Sequence, residues 1–213
     1  MPGHAPATVV GPWAAAGAAA APLVVVLHGN FDRPEWECTE WDRMVAGRAW
    51  IVCPRGVARR DAPGLDRWTY ASRKAARAEL DAAVAAVRAR WRSSVDVGPI
   101  LYGGFSLGAI YGEAIVRAEP ALFPRAVLIE GGLDGWTAAT ARAFVAKGGR
   151  GVLFGCGSAA CGKRAEGRAK LLRAAGATAA VVTIPDLGHG YGGAFPDAAR
   201  PALAEMMRGV PGW

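Results

Sequence analysis

Six short apolar runs, separated by segments of helical period, constrain this chain more than any other feature. They are LVVVL at 23–27, WIVC at 50–53, PILY at 99–102, AVLI at 126–129, GVLF at 151–154 and AVVTI at 180–184. Most carry β-branched residues and are apolar on both faces, the pattern of strands buried between two layers. Between them the spacing predicts helices over 72–92, 107–118, 137–147, 162–175 and 197–208. The clearest is 72–92, where Leu80, Val84, Val87 and Trp91 recur at steps of four, three and four. Strands that alternate with helices pair in parallel, because a hairpin cannot bring the chain back in the same direction. The fold class is therefore α/β, a mostly parallel twisted sheet of about six strands with helices on both faces.

A chain of 213 residues is read as one domain, 1–213, with a poorly defined N-terminal segment over 1–21. Its size lets about 70% of the unfolded surface be buried, so disulfides are not obligatory for folding. With 52% apolar and 20% charged residues, it is neither disordered, collagen-like nor a cysteine-dense miniprotein.

The net charge of +7 would matter to nucleic acid only if clustered. The basic residues are scattered, apart from Arg59-Arg60 and the set Arg73, Lys74, Arg77, Arg88, Arg90 and Arg92, which reads as a solvated helix face. No finger, basic zipper or ribonucleoprotein signature accompanies them, so no nucleic-acid partner is expected. The uncharged stretch from Ala5 to Phe31 is long enough for a membrane span. Pro12 and Pro22 interrupt it, however, and its end reads as a core strand, so no integral membrane segment is expected. No Lys or Arg precedes the apolar run, as a secretory signal would require; an exported form would already have lost its leader.

Cys38, Cys53, Cys156 and Cys161 fall into two local pairs. Two short-loop disulfides, and hence a periplasmic or extracellular location, are the expectation; free thiols in a cytoplasmic protein are the alternative. The C-x14-C and C-x4-C spacings differ from the two-residue spacing usual in zinc sites, so no metal is expected.

Ligands of such sheets bind beyond the carboxyl ends of the strands. There stand His28-Gly29-Asn30-Phe31, Gly103-Gly104-Phe105-Ser106-Leu107-Gly108, Glu130-Gly131-Gly132-Leu133-Asp134 and Pro185-Asp186-Leu187-Gly188-His189-Gly190. The sharpest is G-F-S-L-G, Gly104 to Gly108, between a strand and a helix. A serine nucleophile needs a tight turn that exposes its oxygen, and small residues on either side let the backbones approach. Its hydroxyl also needs a base. His4 lies in a terminal segment and His28 at a strand end, where it is read as structural, which leaves His189. The amide of Leu107 and that of Asn30 or Phe31 are the candidate donors for a tetrahedral oxyanion, each worth about 3 kcal/mol.

With these parts in place, the sequence from about Pro22 to its C-terminus resembles the α/β-hydrolase superfamily. The resemblance rests on the HG loop, the nucleophile elbow and the late histidine, in that order. It implies a cofactor-free serine hydrolase cleaving carboxylic esters, with Ser106 as nucleophile, His189 as base, and Leu107 with Asn30 or Phe31 as oxyanion hole. A peptidase, thioesterase or acyltransferase would use the same parts, and a non-catalytic binding protein could retain the fold. The leading antiparallel strands of the family would be missing, or survive as a remnant near Thr8 to Trp13.

The family's usual position for the acid, after the next strand but one, reads Gly155-Cys156-Gly157-Ser158 here and holds no carboxylate. In some members the acid ends the strand directly after the nucleophile helix, which here closes with Glu130. Glu130 is the favoured acid, then Asp134, then Asp186. A Cys38–Cys53 bridge would brace the oxyanion loop, and Cys156–Cys161 would close the loop where the usual acid is missing. Trp36, Trp68 and Tyr70 are candidate substrate-pocket walls, and no lid insertion fits between Gly131 and Gly149. An open cleft for small or extended acyl substrates is expected.

Overall fold

The computed structural model describes residues 1, 3–14 and 20–213. In order these hold β1 (Thr8–Val10), β2 (Leu23–Leu27), α1 (Pro34–Val45), β3 (Trp50–Cys53), β4 (Val57–Ala58), β5 (Trp68–Thr69), α2 (Arg73–Arg90), β6 (Leu101–Phe105), α3 (Leu107–Ala118), β7 (Arg125–Ile129), α4 (Ala138–Ala146), β8 (Gly151–Cys156), α5 (Ala159–Ala174), β9 (Thr178–Thr183) and α6 (Phe195–Met206). Seven strands make one sheet in the order β1-β3-β2-β6-β7-β8-β9. Every pairing is parallel except that of β1 with β3. The remnant strand expected near Thr8 to Trp13 is thus β1. Residues 15–19 of the Ala-rich stretch lie outside the described residues.

The sheet separates two apolar layers, and the period of two along each strand assigns side chains between them. In β2, Leu23, Val25 and Leu27 face the layer built with α2, α3, α4 and α5. Val24 and Val26 face the layer built with α1 and α6. All five are buried, which explains why the run is apolar throughout instead of alternating.

Helix α1 is not among the helices that the spacing predicts. Pro34 sits in its first turn, where the missing N–H costs nothing. Its buried positions, Pro34, Glu37, Cys38, Trp41, Met44 and Val45, form a stripe at helical spacing. The Trp41 ring covers Gly103 so closely that a Cβ there would overlap it. Removing that fully buried ring would cost about 3–5 kcal/mol. Strand β6 accordingly runs on through Gly103 and Gly104 to Phe105, three residues further than its apolar run suggests. Helix α2 ends at Arg90, so Arg92 lies in the turn beyond it.

Both cysteine pairs are bonded: Cys38 of α1 to Cys53 of β3, and Cys156 at the end of β8 to Cys161 in α5. Among the described residues no helix is long and apolar enough to cross a membrane.

Candidate active site

Strand β6 delivers Ser106 to the carboxyl edge of the sheet. Ser106 stands between strand and helix with φ 49° and ψ −110°, a conformation costly for any residue with a side chain. The surroundings hold it there. Its amide donates to the Ile129 carbonyl at 2.9 Å, and its own carbonyl accepts from Ile110 at 2.9 Å. Gly108 lets α3 lie directly on the end of β2, since a Cβ there would overlap the Leu27 carbonyl.

His189 reaches this serine from the loop after β9. Its Nε2 is 2.8 Å from Ser106 Oγ, and its Nδ1 is 3.1 Å from Glu130 Oε2. The three side chains, 83 residues apart at their extremes, therefore form one hydrogen-bonded line. The Glu130 side chain is only 12% exposed, whereas that of His189 is 60% exposed. Glu130 also has a positive φ, 53°, as the chain turns off β7. Its second oxygen, Oε1, accepts from the Gly157 amide at 2.5 Å.

Asp134 and Asp186 are not brought to the histidine. Asp134 is exposed and pairs with Arg164 at 2.8 Å; Asp186 is exposed, and the carboxylate within hydrogen-bond distance of His189 Nδ1 is that of Glu130.

The amides of Leu107, Asn30 and Phe31 donate to no acceptor in the chain among the described residues, which leaves them free for an incoming oxygen. Phe31 has φ 64° and is 41% exposed. Asn30 Oδ1 accepts from Arg59. His28 is fully buried, with both ring nitrogens 2.8 Å from main-chain carbonyls, those of Gly29 and Arg55. It stacks on Tyr70 at 4.6 Å, the structural place foreseen for it.

Of the expected pocket walls, Tyr70 is corrected. It is buried and works from below, donating to the Pro54 carbonyl at 2.9 Å and accepting from the His28 amide at 3.3 Å. Trp68 lies beneath the Arg55 guanidinium, with its main chain bridged to Asp32. Trp36 is 44% exposed and lines a cleft of about 360 Å³ with Thr39, Glu40, Gly190, Tyr191 and Gly192.

Two residues that the sequence reading passed over connect these loops. Asp32, buried, accepts from the Gly29 and Arg33 amides and from the Tyr191 hydroxyl at 3.0 Å. Tyr191 also packs on Phe105, which in turn packs on the His189 ring. Burial, with the charges of Glu37 and Asp32 adding to it, pushes the Tyr191 phenol up, so it stays a donor. An aspartate able to bond its own turn amides was the available signal; its bond to Tyr191 is non-local.

Glu130, Cys156 and Cys161 place a carboxylate and two sulfurs together. With the sulfurs bonded to each other, the group offers no thiolate to a metal.

No family model matches the chain, and no curated protein matches it. Solved structures do. A protein of unknown function from Agrobacterium tumefaciens is 23% identical, with 93% of this chain and 95% of that one covered at a TM-score of 0.60. A Bacillus cereus carboxylesterase is 15% identical, with coverages of 94% and 93% and a TM-score of 0.65. A phospholipase/carboxylesterase from Dyadobacter fermentans is 16% identical, with coverages of 95% and 99% and a TM-score of 0.62. Together with the strand order and the turn at Ser106, this likeness identifies the architecture: the chain has the α/β-hydrolase fold.

Proposed function

We propose that the protein is a serine hydrolase that cleaves carboxylic esters through an acyl-enzyme. The observation that carries this reading is the hydrogen-bonded line from Ser106 Oγ through His189 to Glu130. The reading takes 1–213 as one catalytic domain and the likeness to carboxylesterases as support for the substrate class.

The chemistry follows from the geometry. His189 Nε2 takes the Ser106 proton as Oγ attacks the ester carbonyl. Glu130 holds the ring with Nδ1–H toward itself and stabilises the imidazolium. The carbonyl oxygen, now negative, is met by the Leu107 amide and that of Phe31 or Asn30. As the C–O bond breaks, Nε2 returns the proton to the leaving alcohol. Water then repeats the sequence on the acyl-Ser106 ester, releasing the acid. The two disulfides favour an oxidising compartment, periplasmic or extracellular, for this enzyme.

A fluorophosphonate probe tests the reading. It is expected to label the wild-type protein at Ser106 and to leave Ser106→Ala unlabelled. An unlabelled wild type that also fails to turn over p-nitrophenyl esters sinks it.

A further inference from the structure

Four guanidinium groups stack on three aromatic rings beside the 28–33 loop. Arg33 and Arg67 lie over Trp36 at 5.4 and 4.5 Å, Arg59 and Arg67 over Phe31 at 5.4 and 5.6 Å, and Arg55 over Trp68 at 5.0 Å. Three of the four have carboxylate partners: Arg33 has Asp66 and Glu35, Arg55 has Glu35, and Arg59 has Asp61. Arg67 has none within 4 Å among the described residues. Its guanidinium makes one bond, to the Asp66 carbonyl at 3.0 Å, so most of its five donors are unspent.

This cation is held in place. The Arg67 main chain is pinned on both sides, its amide to Leu65 at 2.8 Å and its carbonyl to Arg59 at 2.9 Å. Its side chain is clamped between two half-exposed rings, one of them on a residue with a positive φ. Phe31 thus bears a backbone cost without full burial in return, which is the mark of a site more than of a core. A guanidinium stacked in this way is partly stripped of water and keeps the donors of its planar fork for a carboxylate.

The location ties the cation to the reaction. Phe31 carries one of the amides left without an acceptor, and Trp36 walls the cleft that Gly190 and Tyr191, the two residues after His189, complete. The cleft itself holds one charged residue, Glu40, which is paired with Arg43 at 2.7 Å; Arg67 stands outside the lining, over the ring of Trp36, and is the cation left to receive an anion.

We propose that Arg67 is the specificity-determining residue of this site and that the preferred substrates are esters bearing a free carboxylate. An apolar spacer would lie against Trp36 and Tyr191, with the carboxylate received by the Arg67 fork. The proposal deepens the esterase reading and rests on it for the reaction, though not for the binding.

Two esters of one chain length provide the test, p-nitrophenyl hexanoate and mono-p-nitrophenyl adipate. The wild type is expected to favour the adipate by about tenfold or more in kcat/KM, chiefly through KM, with the ratio shrinking as salt is added. In Arg67→Gln the adipate-to-hexanoate ratio falls toward one, and Arg67→Lys recovers part of it. Adipate binding to Ser106→Ala, measured by calorimetry with and without Arg67→Gln, reports on the same contact without turnover. A wild-type ratio near one, or a ratio that Arg67→Gln leaves unchanged, overturns the anion site while the esterase reading stands. Absence of turnover and of fluorophosphonate labelling removes the esterase reading, and in that event adipate binding that depends on Arg67 still upholds the anion site, while its absence overturns that too.

Discussion

The main chain of Gly157 bonds in two directions, its amide to Glu130 Oε1 at 2.5 Å and its carbonyl to the Gly188 amide at 3.0 Å. One residue at the end of β8 therefore ties the carboxylate of one loop to the residue next to His189 in another. A Cβ at this position would overlap the Gly188 carbonyl. Gly157→Ala is accordingly expected to push the two loops apart and lower kcat on p-nitrophenyl esters by about 10²-fold, with KM changed far less. A variant of unaltered kcat would show that the link does not position the histidine.

Glu130 and Asp134 are four residues apart and predict opposite results. Glu130→Gln keeps the shape but removes the charge that orients the ring, so kcat/KM should fall by about 10²- to 10⁴-fold. Asp134→Asn loses only the exposed pair with Arg164, worth about 0–1 kcal/mol, and should retain wild-type kinetics. Steady-state kinetics of the two purified variants decide between them.

The two disulfides differ in what they support. Cys38–Cys53 closes a separation of 15 residues and Cys156–Cys161 one of 5, corresponding to about 3 and about 2 kcal/mol of chain entropy. Only the second encloses Gly157. Replacing Cys156 and Cys161 by serine should cost less stability yet lower kcat, whereas the paired replacement of Cys38 and Cys53 should cost more stability for a smaller change in kcat. Urea unfolding and kinetics on both double variants measure the two effects.

Glu37 is fully buried, and neither of its carboxyl oxygens has a hydrogen-bond partner among the described residues. Burial first, and the nearby charge of Asp32 second, push its carboxyl well above the ordinary value of 4.5. Below that value both the folded and the unfolded chain hold the proton, and there is no penalty. Above it the unfolded chain ionises while the folded one does not, so stability is lost as pH rises. Glu37→Gln should therefore gain in stability relative to the wild type as pH rises from about 4 to about 7. A gap that stays constant across urea titrations at the two pH values would count against the assignment.

What could be read from the sequence was local. The apolar runs located six of the seven strands of the main sheet, and Gly104, Ser106 and Gly108 marked the elbow because its steric demands fall within five residues. Glu130 was legible as a strand-end carboxylate in a loop order shared with a known fold. Helix α1 was overlooked because its first turn, Pro34 to Glu37, alternates apolar and acidic residues and Arg33 supplies no side-chain cap, although Cys38, Trp41 and Val45 kept the helical step. The Asp32–Tyr191 and Gly157–Glu130 bonds span 159 and 27 residues, and no periodicity announces such contacts. Tyr70 was misplaced for the related reason that a buried tyrosine and a pocket tyrosine look alike until the partner of the hydroxyl is known.

Ser106 and Glu130 continue neighbouring strands whose ladder pairs Phe105 with Ile129, while His189 rides a loop between two glycines. Two of the three groups are thus rooted in the central strands, and the third hangs on the few ties of its loop, Gly188 to Gly157 and Tyr191 to Asp32. In the proposed hydrolase, warming enough to break those few ties would stop turnover by loosening a single ring before the sheet itself gives way, and cooling would restore it.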